Sequence, residues 1–484
     1  MSPSSSADGY ADREVSAENP AAPAPSGAGG RLRGLVPVLT GVTSLVCLLG
    51  WLQKQPCATA GFDFVRTTTR ACYTDIYPLY FVRGLNENKI PYFDSFAGDT
   101  FHYVEYPVLS GAFMQVVNWL VQPFGADGRG MAFYNVTVVL LAALAVVTVL
   151  ATAYAAGQRS LRAGLMVALS PSLLLTAYIN WDLLAVGLTA LAVAAWSRRA
   201  PALAGVLLGL AIAAKFYPVL FLWPFVLLCV RAGRWRALGR LLVGTAASWL
   251  AVNLPVMLFA WDGWLTFYSF SRTRGIDWGS IFFILQDHGL EGVAERDQLN
   301  LVGSATFALL ALAIGVLALA APRRPRLPQL MLLVLIAFML PNKVWSPQYV
   351  LWLLPLVALA RPRLPAYLLW QAGELVYFFG IWWYLLSVSL RVDGAGLSAT
   401  LSTLLGFDLP TEGIDTNAYY VALLARFVTV LLLAVLVVRD ILRPSGDPVR
   451  ADGDDDPAGG VLDEAPDAFR LSPRLNSLRP LKTT

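Results

Sequence analysis

Apolar runs recur along the chain from residue 34 to residue 440, separated by short polar or arginine-bearing turns. A helix that spans a bilayer needs about 20 consecutive apolar residues. Runs near or above that length cover 34–52, 106–124, 131–156, 241–260, 301–321, 364–389 and 418–440. Shorter ones, several broken by Gly or Pro, cover 163–179, 182–196, 202–214, 216–230, 328–341 and 348–360. The pattern predicts an all-α, polytopic membrane protein.

The charges between the runs set the expected topology. Arg198–Arg199, Arg231 to Arg240, Arg323 to Arg326, Arg361 to Arg363 and Arg439 with Arg443 mark cytoplasmic turns, and Arg31 and Arg33 put the N-terminus on the same side. The loops 53–104, 261–300, 342–347 and 391–417 then lie outside. Thirteen runs would place the C-terminus outside, against Arg439 and Arg443. About twelve spans are therefore expected, with one short piece between 163 and 230 failing to cross, and the sequence does not identify the piece. Residues 1–30 are rich in Ser, Ala, Pro and Gly, and 444–484 carry Asp452 and Asp454 to Asp456 among Pro, Gly and scattered Arg. Both are expected to be disordered cytoplasmic tails around a membrane domain at 31–443.

Composition agrees: 57% of the 484 residues are hydrophobic, 14% are charged, and the mean hydropathy is +0.58. These values exclude an ordinary soluble domain. The net charge of +4 is small and sits in the loops, so it reads as topology and not as a nucleic-acid surface. No Walker loop, strand-led dinucleotide fingerprint or zinc spacing occurs, and the two histidines cannot by themselves make a typical metal site. No metal and no cofactor is called for. The first apolar run follows a long polar stretch and reads as a signal anchor, not a cleaved leader. Cys47 and Cys229 fall inside apolar runs and read as inert small hydrophobes. Cys57 and Cys72 flank a short polar stretch of one outer loop, and are either a disulfide or two unpaired thiols.

The polar stretch 72–107 stands out in so apolar a chain. It holds Asp75, Arg83, Glu87, Lys89, Asp94, Asp99, His102 and Glu105 together with ten Tyr and Phe residues. Carboxylates offer acid/base groups, and rings offer faces to a sugar or to lipid headgroups. The alternative is a solvated connector, and Asp94, Asp99 and His102 are expected to be no more than that. Apolar and aromatic positions from Tyr73 to Leu85 recur at helical spacing, which predicts a helix along the membrane surface.

Four patches in order carry a resemblance: YTDIYPLYFVRGL with IPYF and YVEYPVL at 73–109, SPSLLLTAYINWD at 170–182, GLAIAAKFYPVLFLWP at 209–224, and NKVWSPQYVLWLLPL at 342–356. On these the chain resembles the GT-C superfamily of membrane glycosyltransferases that take sugar from a polyprenyl phosphate. Within it the chain looks most like glycosyltransferase family 87, polyprenyl-phosphate-mannose-dependent α-mannosyltransferases of actinobacteria. It is also similar to the eukaryotic transferase that adds the first mannose of GPI anchors. The likeness runs from about residue 34 to residue 360 and is sparse between patches.

The resemblance implies a GT-C fold in the plasma membrane with its active site on the outer face. The reaction it implies moves a hexose, mannose first, from a polyprenyl-phosphate sugar to a lipid-linked or cell-envelope glycan acceptor. Asp75 matches the family's catalytic acid, as general base on the acceptor hydroxyl, where the alternative is a helix cap or a surface acid. The GPI enzymes carry a second acid two residues on, but here Asp75 is followed by Ile76 and Tyr77, which removes that chelating pair. Glu105 and Tyr106 either orient the acceptor or cap the next helix. Asn180 and Asp182 contact sugar hydroxyls or make a structural hydrogen bond. Lys215, followed by Phe216 and Tyr217, and Lys343 are candidates for the donor phosphate, with Arg272 or Arg274 beside them. Interfacial snorkelling is the alternative for each lysine. Gln348 and Tyr349 are further donor or acceptor contacts. Trp261, Trp264, Trp278, Trp345, Trp382 and Trp383 are expected mostly in the interfacial belt.

A transporter or flippase of a lipid-linked precursor is the rival reading, since broken helices suit it too. Against it, no clear inverted repeat is visible, and the acidic, aromatic stretch lies at one end of the spans.

Overall fold

The computed structural model describes residues 28–98, 101–289, 295–393 and 413–471. Residues 1–27, most of the loop 391–417, and Asp99 lie outside the described residues. The described chain consists of helices and turns, with no strand among the described residues. Together with its apolar helices this makes it an all-α membrane protein.

The first half runs through α1 (Ala28–Ala58), α2 (Phe64–Thr69), α3 (Ile76–Val82), α4 (Val108–Val121), α5 (Ala126–Ala155), α6 (Ser160–Ala168), α7 (Pro171–Thr176), α8 (Asp182–Ser197) and α9 (Pro201–Ala214). The second half runs through α10 (Leu222–Ala232), α11 (Trp235–Phe259), α12 (Trp261–Thr273), α13 (Ile281–Asp287), α14 (Arg296–Ala320), α15 (Leu327–Met339), α16 (Val350–Ala360), α17 (Leu364–Asp393) and α18 (Thr416–Leu442). By length and composition, six of the described helices can cross a membrane: α1 from Arg33, α5, α11, α14, α17 to Leu390, and α18. Six shorter apolar helices accompany them, at Val108–Val121, Asp182–Ser197, Pro201–Ala214, Tyr217–Ala232, Leu327–Met339 and Pro347–Ala360.

The apolar run 163–179 is not one continuous helix, and the reason is local. Pro171 has no N–H and cannot continue a helix from the preceding turn. The chain breaks at Ser170, whose hydroxyl caps α7 by accepting from the Leu173 N–H at 3.4 Å. Gln371 of α17 holds the break, its side-chain oxygen accepting from both the Ser170 and Ser172 hydroxyls at 2.8 and 2.9 Å. The helix expected over Tyr73 to Leu85 is shorter than its pattern, since α3 ends at Val82 and Gly84 takes a left-handed turn at φ 70°.

The connections between the helices collect at two ends, one set meeting residues 444–471 and the other lining a common cavity. One end gathers the arginine-rich turns, and here the expectation of a disordered tail is corrected for residues 444–471. This segment folds back over the bundle because its acids find those arginines. Asp447 is buried and pairs with Arg326 at 2.8 Å, and Asp467 pairs with Arg231 at 2.7 Å and Arg324 at 3.0 Å. Asp456 accepts from the Leu327 N–H at 2.8 Å, and the Trp196 indole donates to the Gly459 carbonyl at 2.7 Å. Composition missed this because the counter-charges lie more than a hundred residues away in sequence. Residues 472–484 of the expected tail lie outside the described residues.

Candidate functional site

The other end holds a cavity of roughly 490 Å³, within the range of small-molecule sites. Its first wall is the stretch 73–83. Cys57 and Cys72 are joined, with Cα atoms 6.3 Å apart, which ties the end of α1 to the residue before Tyr73. The Thr74 hydroxyl donates to the Tyr178 carbonyl at 2.7 Å, and the Asp75 N–H donates to the Ile179 carbonyl at 2.6 Å. These bonds dock the stretch against the loop that leads into α8.

Asp75 occupies the N-cap position of α3, yet its carboxylate makes no capping bond. The Ile76 N–H goes instead to the Thr74 hydroxyl at 3.1 Å. The carboxylate lines the cavity, and the Tyr73 hydroxyl donates to it at 2.6 Å. Tyr73 is fixed in turn by stacking on Trp382, ring centroids 4.6 Å apart. Burial pushes the Asp75 carboxyl up to about 6, against the Tyr73 hydrogen bond and the Lys215 charge, with Glu105 and Asp182 adding to the rise.

The second wall is Glu105 and Tyr106. Glu105 does not cap α4, whose N-cap is Pro107. It takes a two-point fork from Arg83, at 2.7 and 2.8 Å, beneath the Phe101 ring. The third wall is Asn180 and Lys215. The Asn180 side-chain oxygen accepts from the Asp182 N–H at 3.0 Å, a structural bond, while the residue still lines the cavity. Lys215 follows the last residue of α9 and reaches Asp182 at 2.7 Å. The Tyr106, Tyr349 and Trp352 rings surround its ammonium at 5.3, 6.0 and 6.0 Å. The fourth wall is 346–349 with Arg274 and Asp277. The Ser346 hydroxyl donates to Asp277 at 3.3 Å, and Arg274 lies over Phe270 without an ion pair among the described residues.

The structure thus brings together Asp75, Glu105, Tyr106, Asn180, Lys215, Gln348 and Tyr349 of the expected site residues. Asp182 and Tyr217 stand behind the wall. Asp182 is buried between Lys215 and the Trp352 indole, which donates to it at 2.8 Å. Tyr217 stacks on Trp352 at 4.1 Å, and Tyr349 stacks on the same ring at 3.7 Å. Lys343 is the correction among the expected cations. Its ammonium donates to the Arg272 carbonyl at 2.9 Å and lines a separate groove with Leu299 and Phe338. Arg274 lines the cavity and Arg272 does not.

Asp94 and His102 are exposed, as expected of solvated loop residues. The tryptophans divide: Trp261 and Trp278 are exposed, whereas Trp345 and Trp382 are buried and are not belt residues. Sequence reading missed Tyr73, Asp277 and Trp352. Tyr73 carried a signal, since residues two apart in an extended segment share a face. Asp277 lies in a polar, aromatic-flanked loop that had been counted only as outside. Among the described residues no cluster of His, Cys, Asp and Glu has metal-binding geometry.

With that geometry in place, residues 103–341 match the model of Glycosyltransferase family 87. No curated protein matches the chain. The matched span holds Glu105, Tyr106, Asn180, Lys215, Arg274 and Asp277 but stops short of Gln348 and Tyr349, and it begins after Asp75.

Proposed function

We propose, from the premise that this chain is a membrane glycosyltransferase of family 87, that it moves a hexose, mannose in our reading, from a polyprenyl-phosphate sugar to a hydroxyl of a lipid-linked or cell-envelope glycan. The transfer takes place on the outer face of the plasma membrane. The Asp75 carboxylate takes the acceptor hydroxyl proton as that oxygen bonds to the anomeric carbon. The bond from that carbon to the phosphate oxygen breaks, and its electron pair leaves with the polyprenyl phosphate. The configuration inverts. Lys215 and Arg274 face the charge that grows on the leaving phosphate, with Gln348 and Tyr349 beside the sugar and Glu105 and Tyr106 toward the acceptor.

One observation carries this reading. Asp75 sits where an aspartate ordinarily caps a helix, yet its carboxylate is left uncapped and held at the cavity wall by Tyr73. Purified protein incubated with polyprenyl-phosphate mannose and envelope lipid extract should give a product one hexose heavier. Asp75→Asn should give none. Absence of any hexose product from the wild-type protein across donors and extracts would overturn the reading.

A further inference from the structure

The cavity wall at 346–349 is held by a charge buried deep in the bundle. Arg426 lies on α18, a helix long and apolar enough to cross a membrane, and none of its surface is exposed. A charge in that position is costly unless it is paired, and marks function by default. Glu374 on α17 supplies the counter-charge at 3.3 Å and is itself fixed by the Trp370 indole at 3.0 Å. The guanidinium lies between the Trp345 ring at 4.2 Å and the Tyr377 ring at 4.1 Å.

Its two terminal nitrogens reach the cavity wall. One donates to the Trp345 carbonyl at 2.8 Å and the other to the Ser346 carbonyl at 3.0 Å. These carbonyls precede the turn Pro347–Tyr349 that starts α16, and the Ser346 carbonyl takes the guanidinium as a second donor beside the Tyr349 N–H at 3.1 Å. The residues held next are Gln348 and Tyr349 in the wall, and Ser346, whose hydroxyl donates to Asp277. The loop 277–280 is tied to the same assembly. The Asp277 N–H donates to the Lys343 carbonyl at 2.8 Å, the Ser280 hydroxyl to the Asn342 carbonyl at 2.7 Å, and the Tyr419 hydroxyl to the Trp278 carbonyl at 2.7 Å. Gly279 lets the two loops touch, since a Cβ there would meet the Trp345 carbonyl.

We propose that Arg426, backed by Glu374, is a positioning residue that sets the 346–349 wall to receive the sugar-phosphate donor. The proposal rests on the donor reading above. Arg426 touches no substrate and acts through the two carbonyls. Neither α17 nor α18 lies in the family-matched span, so these two helices bring to the site a part the matched region lacks.

The test compares wild type, Arg426→Lys, and the double variant Arg426→Met with Glu374→Met. Each is measured for thermal midpoint, deuterium uptake at 342–349, and transfer kinetics with a short-chain polyprenyl-phosphate mannose. Replacing a buried ion pair by apolar side chains of similar volume commonly keeps stability, so the double variant should melt near wild type. Uptake at 342–349 should still rise, and the donor KM should rise about tenfold while kcat changes less than about threefold. Arg426→Lys keeps the charge but cannot fork to both carbonyls, and should show the same KM shift. A stable double variant with wild-type uptake and wild-type KM would overturn the proposal and leave the pair purely structural. If the double variant fails to fold, Arg426→Lys decides alone by the same two readouts. If the wild-type protein transfers nothing, the donor reading fails, and uptake at 342–349 still decides whether Arg426 holds the wall.

Discussion

At the scale of single residues, the candidate chemistry concentrates on Asp75 and on Lys215 and Arg274, two of the cations that line its cavity. Asp75→Asn keeps size and removes the basic oxygen, so kcat should fall by about 10²–10⁴-fold with little change in donor KM. Single-turnover kinetics on folded protein measures this, and near wild-type turnover would remove Asp75 as the base. Its raised pKa sets the pH profile. A base must be unprotonated, so kcat/KM should fall as the pH drops through about 6. In the cation set, Arg274→Ala should raise the donor KM by about tenfold, the scale of one hydrogen bond to a charged group. Lys343→Ala should change it by less than about twofold, because that ammonium serves the Arg272 carbonyl outside the cavity. Steady-state kinetics of the two variants side by side decides between them. Asp75 and Lys215 were legible in sequence because each is an isolated charge among apolar or aromatic neighbours. Which lysine lines the cavity was not, since Lys215 and Lys343 both precede aromatic residues at an expected outer turn and only packing separates them.

At the scale of elements, apolar periodicity located the helices but not their breaks. The run 163–179 reads as continuous in hydropathy, whereas Pro171 and the Ser170 cap divide it into α6 and α7, which together lead from Arg159 at the arginine-rich end to Ile179 at the cavity. The division is useful to the site. It puts the Tyr178 and Ile179 carbonyls beside Thr74 and Asp75 and so docks the acid-bearing stretch. The bridge between Cys57 and Cys72 works on the same stretch from the other side, closing a loop with a sequence separation of 15. Loop closure of that length typically contributes about 3 kcal/mol. Cys57→Ser with Cys72→Ser should therefore lower the thermal midpoint in detergent. Transfer should fall more than global unfolding explains, since the freed residues lead directly to Tyr73 and Asp75. An unchanged midpoint with unchanged transfer would count against any bracing role.

At the scale of the whole molecule, hydropathy and the arginine turns were enough to read an all-α membrane protein with two distinct ends. They were not enough to read what the arginines do. Positive turns served as topology markers, but Arg231 and Arg326 are almost wholly buried and bond to carboxylates from residues 447 and 467. Such pairing joins distant segments and leaves no local pattern. It makes a prediction opposite to that of a dispensable tail. Removing residues 444–484 strands these guanidiniums without counter-charge, which costs about 3–5 kcal/mol for a broken buried pair. Arg326 keeps its bonds to the Leu359 and Ala360 carbonyls and Arg231 its bonds to the Ala318 and Ala321 carbonyls, so both lose the counter-charge and neither loses every hydrogen bond. Asp447→Asn should reproduce part of the loss. Burial pulls the Asp447 carboxyl upward, but Arg326 outweighs it and holds its pKa below the ordinary 3.8. The pair's stabilisation is then fully present above that value and is lost as the pH falls through the lower folded pKa. Thermal midpoints of the full-length and truncated proteins at neutral pH are the deciding measurement. Equal midpoints would mean that the folded-back segment adds nothing to the bundle, and a marked drop would make it an integral layer of the membrane domain.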